Sequence, residues 1–327
     1  MYPPVSRCLL LALMLGTALR AGAAEPYVET AKSHSWFSFS RPHEATPAEQ
    51  LVFADRLRAD QSLRRAGRHY RALEVTWPGS VEAPVAQLRY AETLETRGKM
   101  EDAFDQYQIL MEKYAGRFPY DQVLDRQFEI AVAHGQRRRL AWFGLPGLTA
   151  PERAVPMLEK LVQNGPQWKR APEVQLMIGR AYEQSKQEDL AVTAYLLCEE
   201  RFPDTEVARQ AAMGRARCWS RLSAESPNDE ATLEEAYAAA TGFLRRYPDA
   251  AEAAEIKILQ ADLLRLRGEK AFQRAVFYDR VARKPEAARA SYETFVRAFP
   301  NSEHAEAARA RLREMEPSKE PAHVPSA

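Results

Sequence analysis

Glycine is scarce in this sequence, with 14 among 327 residues, and there are only three cysteines and six histidines. So few cysteines exclude a disulfide-dense scaffold. Scarce glycine argues against a turn-rich β-protein and for long helices. Neither sign of charge dominates: 46 Lys and Arg face 45 Asp and Glu, a net charge of +1, which is not the basic footprint of a nucleic-acid binder. The apolar run Cys8–Leu19 is too short to span a hydrocarbon core of ~30 Å. Motifs that carry chemistry are missing as well. No two histidines have the helical i, i+4 spacing of a zinc site. Gly144-Leu145-Pro146-Gly147 lacks the lysine and the spacing of a phosphate loop, and no Gly-x-Ser-x-Gly elbow occurs. The sequence therefore predicts no enzyme, no cofactor and no metal.

What is present begins with an export signal. Met1–Ala23 has Arg7 ahead of the apolar run and Ala21-Gly22-Ala23 as a small-x-small cleavage site. A lipoprotein cysteine would follow the apolar run. Cys8 precedes it and the next cysteine is Cys198, so an N-terminal lipid anchor is not expected. The expected location is the periplasm, or the periplasmic face of the outer membrane, with membrane association only through partners. Residues 24–46 read as a polar linker whose Trp36, Phe37 and Phe39 either cap the apolar edge of the first repeat or serve as a docking motif. Residues 47–316 read as the folded domain, and 317–327 as a disordered tail.

The folded part repeats. An aromatic-proline step recurs at Trp77-Pro78, Phe118-Pro119, Phe202-Pro203, Tyr247-Pro248 and Phe299-Pro300, with Gly165-Pro166 as a degenerate member. Twelve residues before the proline stand Ala66, Ala154, Ala191, Ala236 and Ala288, with Ala103 equivalent. Eight before it stand Tyr70, Leu158, Tyr195, Ala240 and Tyr292, with Tyr107 equivalent; Leu or Phe, or Cys198, follows three residues later. Positions i, i+4 and i+7 share one helix face. The alanine admits a neighbouring helix, the aromatic fills the space beside it, and the proline ends the helix. Gly179 and Tyr182 mark the preceding helix of the cleanest unit, and Gly98 a turn five residues before Ala103. The reading is an all-α, helical-hairpin solenoid of about six repeats, with a long helix over Ala253–Arg283. Cys198 and Cys218 fall on adjacent antiparallel helices with an axial offset of ~15 Å, so two unpaired, buried thiols are expected.

This register resembles tetratricopeptide repeats. With the export signal, Leu124-Asp125-Arg126-Gln127-Phe128-Glu129-Ile130-Ala131 and the stretch Glu269–Tyr278, it is similar to the BamD/YfiO family of outer-membrane β-barrel assembly. The resemblance implies a non-catalytic scaffold whose partners are the barrel-inserting subunit and unfolded outer-membrane clients. The missing lipid-anchor cysteine departs from that family. The alternative is an envelope or division adaptor resembling the TolA-binding, CpoB-like repeat proteins, although residues 24–46 show no heptads. The candidate partner-binding residues are Arg137, Arg138, Arg139, Trp142 and Phe143, in an insert between glycines and a proline where cations stand beside aromatics.

Overall fold

The computed structural model describes residues 41–136 and 150–316. Among them lie thirteen α-helices and no strand. Six hairpins follow one another: α1 (Pro47–Ala59) with α2 (Leu63–Thr76), α3 (Ala83–Thr96) with α4 (Met100–Lys113), α5 (Tyr120–Gln136) with α6 (Val155–Asn164), α7 (Ala171–Gln184) with α8 (Glu188–Arg201), α9 (Glu206–Glu225) with α10 (Glu230–Arg246), and α11 (Ala253–Val276) with α12 (Pro285–Ala298). A last helix, α13 (Ala305–Glu314), closes the series. Helices pack on neighbours one or two places along the chain, as in a solenoid.

The helix stop repeats in atomic detail. Trp77, Tyr114, Gly165, Phe202, Tyr247 and Phe299 follow the second helices with φ between −116° and −131° and ψ between 31° and 63°. Each donates its N–H to the carbonyl four residues back, at 2.8–3.1 Å. A following proline disfavours the α conformation in these residues. In the second hairpin Ala115 replaces the proline, and Gly116, at φ 76°, turns the chain instead. Pro119 there lies just ahead of α5. The turns inside hairpins share a register too: Gln61, Gly98, Lys186 and Arg283, each five residues before the repeat alanine, all have positive φ.

The face predicted from the sequence points inward. Ala66, Tyr70, Ala103, Tyr107, Ala154, Ala191, Tyr195, Ala236, Ala288 and Tyr292 are all buried, as is Gly179. Burying each large member stabilises by about 1.5–3 kcal/mol. Tyr182 differs: it is half-buried. It lies beside Glu159 of α6, a helix of 10 residues where α2, α4 and α8 have 14. Pro156 has no N–H and fits only the first turn of a helix. Pro151–Ala154 therefore form a separate 3-10 turn, so Ala154 precedes α6 rather than lying within it. The helix α11 starts from Glu252, without a side-chain cap. Thr205 does cap α9, accepting from the Ala208 N–H at 3.1 Å. The long helix continues from α11 into a π-helical turn, Phe277–Val281.

Candidate interaction surface

Three kinds of polar contact hold the hairpins in shape. First, the buried repeat tyrosines donate O–H to a carboxylate on the partner helix: Tyr70 to Asp55, Tyr107 to Glu95 and Tyr195 to Glu183, each at 2.5 Å. Tyr292 points to Asp279 at 3.4 Å, in the π turn. Burial first, and the adjacent carboxylate second, push all these phenols above their ordinary value, except that for Tyr292 the charge of Asp279 precedes its hydrogen bond. Second, a buried glutamine of the first helix donates to a second-helix carbonyl: Gln50 to His69, Gln87 to Gln106 and Gln175 to Ala194, at 2.9–3.3 Å. Gln127 of α5 instead donates across the seam to Phe104 of α4, in the preceding hairpin. Third, ion pairs bridge one hairpin to the next: Arg58 to Glu92, Lys113 to Glu74, Arg126 to Glu95, Arg217 to Glu255 and Arg267 to Glu234. Arg221 on α9 spans Glu183 and Glu188, both at 2.7 Å, and Glu188 is 7% exposed.

The Tyr195 ring is tightly held. A Cβ built at Gly179 would lie 2.5 Å from its Cδ1, and one at Gly214 would lie 2.6 Å from its Cζ. Glycine at both positions lets α7 and α9 close on the ring. Nearby, Cys198 and Cys218 are free and buried. Burial chiefly, and Glu199 next, push the Cys198 thiol up to about 12. A thiol held protonated is inert.

The Leu124–Ala131 stretch is mostly core. Leu124, Gln127, Phe128, Ile130 and Ala131 are buried. Phe128 packs edge-on against Trp168, and the Arg170 guanidinium lies 3.7 Å from its ring centre.

A groove opens on α6, α7 and α8. Its apolar wall is Val162, Ile178, Ala194 and Leu197, its rim includes Glu159 and Arg201, and Tyr182 and Leu190 reach into it. The groove holds about 250 Å³ and adjoins a second recess of about 390 Å³ that shares Val162, Gln163 and Arg201. An apolar wall with a polar rim suits an apolar peptide segment or helix of a partner. The half-buried Tyr182 is thus a groove residue as well as a packing one. The repeat register marked Tyr182 without revealing the groove, which three helices build together.

The other candidates, Arg137, Arg138, Arg139, Trp142 and Phe143, lie outside the described residues, between α5 and the 3-10 turn. So do Trp36, Phe37 and Phe39. Among the described residues no three His, Cys, Asp or Glu side chains are grouped to hold a metal ion, and no helix is long and apolar enough to cross a membrane.

Residues 183–318 match the YfiO family, described as outer membrane lipoprotein. No protein of curated function matches the chain. Among solved structures, a tetratricopeptide repeat protein from Parabacteroides merdae is 15% identical, with 82% of this chain and 98% of that one covered and a TM-score of 0.29. PilF of Pseudomonas aeruginosa is 14% identical, with 81% and 97% covered and a TM-score of 0.28. A Thermus thermophilus TPR protein is 16% identical, with 67% and 99% covered and a TM-score of 0.27. At these scores the structural likeness adds nothing to the hairpins described above. The family likeness is therefore confined to residues 183–318, and the fold rests on the helical hairpins themselves.

Proposed function

We propose that this protein is an exported interaction scaffold of outer-membrane β-barrel assembly, working by protein–protein contact and not by catalysis. The observation that carries this reading is the match of residues 183–318 to YfiO. In this reading residues 1–23 direct export, 24–46 form the linker, and 47–316 form the scaffold with 317–327 as its tail. The barrel-inserting subunit and unfolded clients are the partners, and the Arg137–Arg139 insert and the α6–α8 groove are the capture surfaces.

The test is site-specific photo-crosslinking from Leu190 and Tyr182 in the cell envelope, followed by partner identification. Recovery of a barrel-assembly subunit is expected. Its yield should fall when Arg137, Arg138 and Arg139 are all replaced by Glu. Recovery of Tol-type or cell-wall partners alone would overturn the proposal.

A further inference from the structure

Most arginines in the second half of the chain are spoken for: Arg209, Arg215, Arg217, Arg221, Arg267 and Arg311 each meet a carboxylate. The first repeats differ. A recess of about 510 Å³ is lined by the α1–α2 turn and the α3–α4 turn, with Arg64, Arg65, Arg97 and Lys99 around it. None of its lining residues is acidic. Lys99 pairs with Asp102. Arg64, Arg65 and Arg97 make no ion pair with any described residue. Arg64 and Arg65 are exposed, and the first turn of α2 holds no acidic residue. Arg68 and Arg71 are also exposed and extend the basic row along α2.

Like charges gathered around one recess repel one another, and nothing in the fold requires these three arginines to line it together. The positive-φ residues Gln61 and Gly98 bend the two turns that bring them together. Guanidinium forks match the oxygens of phosphate in paired hydrogen bonds. A doubly charged phosphate also brings more charge and more acceptor oxygens to several guanidiniums than a single carboxylate does. An acidic peptide is less well matched, because Leu63 is the only apolar residue in the lining to anchor one. We infer that the Arg64–Arg65–Arg97 recess binds a phosphate group, either of a lipid headgroup or of a free phosphate. This inference is independent of the assembly role proposed above.

The test uses the full chain and two probes. The first is flotation with phosphatidylcholine vesicles with and without phosphatidic acid. The second is calorimetric titration with inorganic pyrophosphate. The variant is Arg64→Gln/Arg65→Gln/Arg97→Gln. Its control, Arg245→Gln/Arg297→Gln/Arg313→Gln, makes the same change in net charge at exposed arginines elsewhere. Circular dichroism melting should show both variants folded. Partitioning onto the anionic vesicles should fall about fivefold per recess arginine removed, hence about a hundredfold, and within about twofold in the control. Vesicle binding that pyrophosphate does not compete identifies the lipid headgroup as the source. Pyrophosphate binding without vesicle binding identifies free phosphate. Equal losses in variant and control, no binding of either probe by the unaltered chain, or binding of polyglutamate in place of both probes would each overturn the assignment.

Discussion

The contact around Tyr195 sets two glycine substitutions against a third. Alanine is a better helix former than glycine by about 1 kcal/mol in a helix interior. At Gly242, in α10, an added Cβ meets nothing within 4 Å. Gly242→Ala should therefore stabilise by roughly that amount. At Gly214 the same methyl meets the Tyr195 ring at 2.6 Å, and at Gly179 it meets the opposite edge at 2.5 Å. The ring has little room to retreat, because the other glycine backs it and Glu183 holds its hydroxyl. Overpacking of this kind costs about 1–3 kcal/mol. After the propensity gain, each of these two variants should lose up to about 2 kcal/mol. Urea unfolding followed by circular dichroism would read the difference. Solenoids can unfold in parts, so tryptophan fluorescence should be recorded alongside. Adding Tyr195→Leu should remove most of the penalty of Gly214→Ala. The reasoning fails if Gly214→Ala stabilises as Gly242→Ala does, or if the double variant is simply the sum of its parts.

Tyr107→Phe leaves Glu95 without its phenol donor and should cost about 1–2 kcal/mol, measured by the same urea titration. Lys186→Gly should gain up to about 1 kcal/mol in that assay, since Lys186 sits at φ 56°, a conformation that strains a side chain but not glycine. Stability should decline at alkaline pH. Folded-state pKa values of Cys198 and the repeat tyrosines are raised, so the folded chain holds protons that the unfolded chain releases. The stabilisation is whole below the unfolded thiol value of about 8.5 and diminishes as pH rises towards 12; thermal melts from pH 7 to 11 would show it, and a flat profile would contradict it. Native Cys198 and Cys218 should resist a thiol reagent at pH 8 and react once urea unfolds the chain.

Hairpins were legible in the sequence because the fold repeats a local rule. Alanine, aromatic and proline recur at fixed spacing, and each spacing is a helix-face statement. Less visible were the polar partners. Glu95 and Glu183 each lie twelve residues before their tyrosine, and Gln50, Gln87 and Gln175 each sixteen before the repeat alanine. Those signals are regular, but acids and glutamines are common on any helix surface, so spacing alone does not single them out. Turn strain was readable only at Gly98, where residue type betrays the positive φ. Gln61, Lys186 and Arg283 adopt it without such a mark. The groove joins residues of α6, α7 and α8. That is a tertiary juxtaposition, and no repeat pattern contains it. The recess of Arg64, Arg65 and Arg97 joins residues of two hairpins, and a one-dimensional reading saw only scattered arginines.

The division of labour among the polar contacts has a mechanical consequence. Within a hairpin the tyrosine–carboxylate and glutamine–carbonyl bonds are shielded from solvent, so dissolved ions barely touch them. Between hairpins many of the links are partly exposed ion pairs such as Arg126–Glu95 and Arg217–Glu255, which electrolyte weakens. Apolar packing also runs from one hairpin into the next, as at Tyr195 against Gly214, so electrolyte should loosen the rim of each seam without opening it.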